Sequence, residues 1–155
     1  MFLKTGRAII LGALTAALLM TGAAQGSASA GTPVAKRPPV TTAKSALGPI
    51  LVDAKGRTVY VFMADSPGRS TCTGQCLTYW PAVVAPAKLP AAAAGVTGKL
   101  GSITRDDGTR QLTINGWPLY TYAGDTKAGM TSGQGSSGSG AKWWVVSPAG
   151  KKITK

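Results

Sequence analysis

The chain has no histidine and no glutamate. Without an imidazole, Ser-His-Asp and Cys-His catalysis, a histidine-ligated haem and the usual zinc-water sites all lack an essential group. Acid–base work would fall on five aspartates, the tyrosines and the lysines, whereas most such sites use His or Glu. These absences predict a non-enzymatic protein with no catalytic residue, no metal site and no cofactor. Large apolar side chains are also scarce. The hydrophobic fraction of 44% is swollen by alanine, so the anchors reduce to Trp80, Trp117, Trp143, Trp144, the tyrosines and scattered Val, Ile and Leu. A core this lean benefits from a covalent staple, and Cys72 and Cys76 are the only cysteines.

What is present begins with a leader. Lys4 and Arg7 precede an apolar stretch over 8–24, and Ala28-Ser29-Ala30 supplies the small-x-small pattern of a signal-peptidase site. Residues 1–30 therefore read as a signal peptide, and the mature protein as exported, with no membrane span after cleavage. No cysteine lies near the cleavage point, so a thioether-linked lipid anchor is not expected. Of 17 basic residues, removing Lys4 and Arg7 leaves 15 against 5 aspartates, or +10 for the mature chain. That balance suits anionic surroundings such as acidic envelope polymers or lipid head groups. Nucleic acid fits less well, because the basic residues are spread along the chain instead of forming a stripe with interleaved aromatics.

Residues 31–46 hold three prolines and several threonines without apolar periodicity, and read as a flexible linker. The remainder, 47–155, is expected to form one β-rich domain. Its dominant feature is a pattern that occurs twice, as Tyr60-Val61-Phe62-Met63-Ala64-Asp65 and as Tyr120-Thr121-Tyr122-Ala123-Gly124-Asp125, sixty residues apart. Each copy follows a glycine, Gly56 or Gly116. Recurrence at a fixed offset predicts a duplicated module, with repeats over about 47–84 and 99–155. Hairpin signals surround both copies, Asn115-Gly116 being the strongest because both residues tolerate positive φ. On the strand through Tyr60, both faces are apolar, which predicts burial on two sides. One short helical segment is expected near 72–80, and a Gly/Ser-rich loop over 129–140. The predicted class is mostly β, with antiparallel hairpins in two related modules.

The C-x3-C pair has two readings. In an oxidising compartment Cys72 and Cys76 make a structural disulfide. The alternative is an extracytoplasmic redox or copper-handling site that joins the two thiolates to Met63 or Met130. The repeated motif also has two. Tyr60, Phe62, Tyr120 and Tyr122 can fill the core while Asp65 and Asp125 cap the turns that follow. Alternatively, the Tyr–Asp pairs line a groove and face a ligand, with Trp117 among the candidate binding residues and an exposed indole of Trp143 or Trp144 near it to stack on a sugar ring. Adjacent Trp143 and Trp144 point to opposite faces if they lie on a strand.

The motifs together resemble a bacterial family of short secreted, lipoprotein-like proteins defined by a repeated Tyr-x-[Phe/Trp/Tyr]-x-x-Asp pattern. The resemblance rests on Leu51-Val52-Asp53-Ala54-Lys55-Gly56-Arg57-Thr58, Ser70-Thr71-Cys72-Thr73-Gly74-Gln75-Cys76, Trp80-Pro81, Asn115-Gly116-Trp117-Pro118-Leu119-Tyr120, Gly124-Asp125-Thr126 and Trp144-Val145-Val146. It implies an extracytoplasmic β-rich protein of uncharacterised function, at the cell envelope or beyond it. Relatives often carry histidine where this chain has Trp117, and some carry a lipid-attachment cysteine that this chain lacks.

Overall fold

Short β-branched and aromatic runs, separated by glycine-bearing turns, become the strands of a computed structural model that describes residues 37–155. The leader read over 1–30 and the first part of the linker, 31–36, lie outside the described residues. In chain order the elements are β1 (Val40–Ser45), β2 (Gly48–Asp53), β3 (Val59–Phe62), α1 (Gln75–Tyr79), β4 (Leu100–Thr104), β5 (Arg110–Ile114), β6 (Trp117–Pro118), β7 (Tyr120–Thr121) and β8 (Trp143–Val145). Every strand pairing is antiparallel. The described residues are mostly β, and their one α-helix lies in the region expected for it.

Three groups of strands form: β1 with β2, β7-β3-β8, and β4-β5-β6. The two-residue turn at Asn115-Gly116 joins β5 to β6, placing Ile114 opposite Trp117. Both turn residues have positive φ, 50° and 86°, as a turn matched to the right-handed strand twist requires. Among the described residues no helix is long and apolar enough to cross a membrane.

One expectation needs correction. Residues 40–45, read as flexible linker, form β1 in continuous register with β2, from Val40 opposite Asp53 to Ser45 opposite Gly48. An edge strand pairs on one side only and needs little apolar pattern; here Val40 alone is fully buried, and the β-branched run Val40-Thr41-Thr42 favours extension. The folded unit thus begins before Leu47. At the other end, residues 151–154 contribute one bridge, between Val146 and Lys152.

β3 is buried along its whole length, as its two apolar faces predict. Val59 and Val61 join one cluster with Leu51, Leu112, Ile114, Leu119 and Val146. Tyr60 and Phe62 join the other, with Ile50, Trp80, Tyr120, Trp143 and Val145. The strand is the spine between two apolar layers. Its partner β7 sets Tyr60 directly opposite Tyr120. Equivalent positions of the two repeats therefore face each other in an antiparallel ladder, which places a local two-fold axis at this pair. Flanking contacts obey the same axis. Val145 pairs with Tyr60 on one side, and Ala82 bridges Tyr120 on the other.

Candidate functional site

The two-fold arrangement makes the motif side chains reach across the axis. The Tyr60 hydroxyl donates to Oδ2 of Asp125 at 2.6 Å, and the Tyr120 hydroxyl donates to Oδ2 of Asp65 at 2.7 Å. Each tyrosine is bound to the aspartate of the other copy. The remaining carboxylate oxygens hold the loops that follow. Oδ1 of Asp65 accepts from the backbone N–H and the hydroxyl of Thr71, at 2.7 and 2.9 Å. Oδ1 of Asp125 accepts from the backbone N–H of Ser132 at 2.9 Å. Both tyrosines are fully buried, and Asp65 and Asp125 keep only 6% and 3% exposure.

Burial raises both phenols above their ordinary range. For Tyr120, burial is the main cause and the Asp65 carboxylate adds to it, while a bond with the Ser70 hydroxyl opposes them; the net effect pushes the phenol up to about 12. Tyr60 is pushed higher, again chiefly by burial and then by its bond to Asp125. Both remain neutral donors at physiological pH. With both oxygens of each carboxylate occupied, the centre is a closed clasp, and its chemistry is to hold the two repeats and their loops in register.

The aromatic positions cross as well. Phe62 stacks on Trp143 with ring centres 4.2 Å apart, and Tyr122 lies against Trp80 at 4.4 Å. Trp80 and Trp143 stack face to face at 3.8 Å, with planes 1° apart. Tyr60 then meets Trp80 edge-on, as Tyr120 meets Trp143. The result is a four-ring column, Phe62–Trp143–Trp80–Tyr122, in which each motif aromatic packs on the indole of the opposite repeat. Offset and edge-to-face ring pairs add about 0.5–1.5 kcal/mol each beyond their area burial.

The Gly/Ser-rich loop has a defined role in this packing. A side-chain carbon on Gly133 would fall 2.7 Å from Trp80 and 3.1 Å from Tyr60, so only a glycine lets the backbone lie on these rings. The Gly133 N–H donates to the Tyr60 hydroxyl at 3.2 Å, and the Gly138 carbonyl accepts from Nε1 of Trp143 at 2.7 Å.

Of the residues singled out from sequence, Tyr60, Phe62, Asp65, Tyr120, Tyr122 and Asp125 meet at this centre, and of these only Tyr122 is partly exposed. Trp117 lies elsewhere. It lines a separate surface cleft of about 430 Å³ with Val61, Met63, Lys151 and Lys152, where Lys152 Nζ approaches the Met63 sulfur at 3.5 Å. Cys72 and Cys76 are joined in a disulfide, with Cα atoms 5.3 Å apart. Neither sulfur is then a thiolate ligand, so the copper-handling alternative with Met63 or Met130 is not favoured. Among the described residues no group of three or more His, Cys, Asp or Glu side chains is placed to hold a metal ion.

Several residues of the centre escaped the sequence reading. Trp80 and Trp143 are equivalent at an offset of sixty-three rather than sixty, so a three-residue insertion between the motif and the second indole hides their correspondence. Nothing local marks Arg105, whose guanidinium donates to the Ser70 hydroxyl at 2.8 Å and to the Gln111 amide and Cys72 carbonyl oxygens. It pins the loop that carries the disulfide to the start of β5. Ser70 in turn bonds the Tyr120 hydroxyl at 2.6 Å, so the pin reaches the clasp.

Comparison with known proteins agrees with this two-part architecture. Residues 41–84 and 101–147 each match the model of the Lipoprotein_15 family, described as a secreted repeat of unknown function. The first match spans β1 to the strand bridge after Trp80, and the second spans β4 to the end of β8. No curated protein and no solved structure matches the chain. With two repeats matched over more than half its length, the chain belongs to this family of secreted repeats.

Proposed function

We propose that the protein is a non-enzymatic binding protein of the cell envelope, in which the duplicated module is a rigid scaffold and the basic outer surface is the contact face. One observation carries the reading: acidic groups are turned inward and basic groups outward. Asp53, Asp65 and Asp125 are buried, with Asp53 held by Arg57 at 2.7 Å. All nine described lysines are exposed, together with Arg37 and Arg69, against only Asp106 and Asp107. The outer surface is therefore more one-sided in charge than the composition alone indicates, and suits an anionic polymer or lipid head group. At the Trp117 cleft, Lys151 and Lys152 line the same space as an indole. That combination offers cations for acidic groups and a flat apolar face for the body of the polymer.

The test is sedimentation of the purified protein with isolated envelope polymer at low and high salt, beside polymer stripped of its phosphate or carboxylate groups. The expected result is retention that falls steeply with salt and with stripping, and that weakens when Lys151→Glu and Lys152→Glu are combined. Absence of retention at low salt, or retention indifferent to both salt and stripping, would overturn the electrostatic reading.

A further inference from the structure

The two-fold axis relates Trp80 to Trp143, yet their indole N–H groups end differently. Trp143 Nε1 is taken by the Gly138 carbonyl at 2.7 Å. Among the described residues Trp80 Nε1 has no hydrogen-bond partner, although Trp80 is only 2% exposed. An indole N–H without a protein partner remains available to donate to whatever occupies the space in front of it. The donor is not sealed in, because among the described residues Arg105 Nε is the enclosed side-chain atom without a partner. Trp80 lines a cleft of about 320 Å³ between α1, Tyr122 and the Gly/Ser-rich loop.

The cleft lining has a consistent chemistry. Gln75, Ser136 and Ser139 supply an amide and two hydroxyls, and Tyr79, Trp80 and Tyr122 supply three rings. None of its lining residues carries a charge, although the protein surface as a whole is strongly basic. Tyr79 stands at the rim with 52% exposure, one of only two large hydrophobic side chains so exposed among the described residues. Its size is at the lower end for small-molecule sites, enough for one ring unit rather than a length of polymer.

We infer that this cleft binds a neutral saccharide unit, with the Trp80 N–H donating to a sugar hydroxyl and Tyr79 packing on the apolar C–H face of the ring. A pyranose or furanose matches the lining because it carries an apolar face and a rim of hydroxyls that donate and accept. An anionic sugar finds no counter-charge among the lining residues, and a purely apolar ligand would leave the serine, glutamine and indole groups unpaired. The site is independent of the basic-surface reading: it needs no lysine, and its occupancy is insensitive to salt.

The test follows the indole N–H signals of the full secreted chain by nitrogen–proton correlation NMR. N-acetylglucosamine, galactose, mannose and arabinose are added in turn, with glucuronate as the charged control. The expected result is a saturable shift of the Trp80 indole signal with at least one neutral sugar, unchanged at high salt. Tyr79→Ala should weaken that binding roughly five- to tenfold while the rest of the spectrum stays in place, since this exposed side chain contributes little to the core. No shift of the Trp80 signal with any neutral sugar, a response to glucuronate alone, or loss of the response at high salt would each overturn the assignment. Salt-sensitive retention on envelope polymer could still stand in all three cases.

Discussion

Because each motif tyrosine is bonded to the aspartate of the other repeat, energetic coupling should run across the repeats and not within them. In Tyr60→Phe the Asp125 carboxylate loses its 2.6 Å donor, and the Gly133 N–H loses its acceptor. A hydrogen bond to a charged group contributes about 1.5–3 kcal/mol, and an orphaned buried donor adds about 1 kcal/mol or more. The substitution should therefore cost about 2–4 kcal/mol, against a total of roughly 5–15 kcal/mol for a domain of this kind. Asp125→Asn keeps the shape but replaces the charged acceptor, and should cost about 1–3 kcal/mol. Urea unfolding at neutral pH, followed by tryptophan fluorescence, gives both values and the double mutant. The Tyr60/Asp125 cycle should show coupling of about 1–2 kcal/mol, as should Tyr120/Asp65, while Tyr60/Asp65 and Tyr120/Asp125 stay within about 0.5 kcal/mol of additivity. Stronger coupling inside a motif than between motifs would refute the crossed arrangement.

Three further outcomes are expected. Burial pushes the Tyr120 phenol up to about 12 from an ordinary 10; a raised acid of this kind stabilises the fold fully below pH 10, and its contribution of about 3 kcal/mol should be lost as pH rises toward 12. Urea midpoints measured from neutral to alkaline pH should fall through that window, and Tyr120→Phe should remove part of the fall. Gly133→Ala puts a carbon 2.7 Å from the Trp80 ring and should destabilise by about 1–3 kcal/mol through overpacking, read in the same unfolding assay. Replacing Cys72 and Cys76 together by Ser opens a five-residue ring and should cost about 2 kcal/mol on the chain-entropy account, with reductant producing a similar shift in the parent protein.

Local chemistry made much of this architecture readable in advance. Asn115-Gly116 announces its hairpin because its two residues accept a conformation that most side chains resist, and β3 announces its burial through apolar residues on both faces. The duplication was visible because the copies keep one spacing from Gly56/Gly116 to Asp65/Asp125. Spacing alone is silent about crossing, however. A tyrosine five residues before an aspartate can serve its own copy or the other, and only the Tyr60–Tyr120 register decides between them. β1 is not legible in the sequence because its stabilising bonds run to β2, a tertiary circumstance that leaves little apolar signature in Val40–Ser45. Trp80 and Trp143 were legible as core anchors, but their stacking required knowing that two loops of unequal length return to the same axis. The open indole N–H of Trp80 is a property of position, and no residue pattern encodes it.

An arrangement in which every motif side chain finds its mate in the other copy is the geometry of a symmetric homodimer written into one polypeptide. A single-copy forebear would have presented its phenol and carboxylate to an identical neighbour and held together only at sufficient concentration. Tandem fusion removes that dependence, since the tether fixes the local concentration of each half around the other. For a secreted polypeptide the benefit is direct: dilution outside the cell no longer threatens assembly.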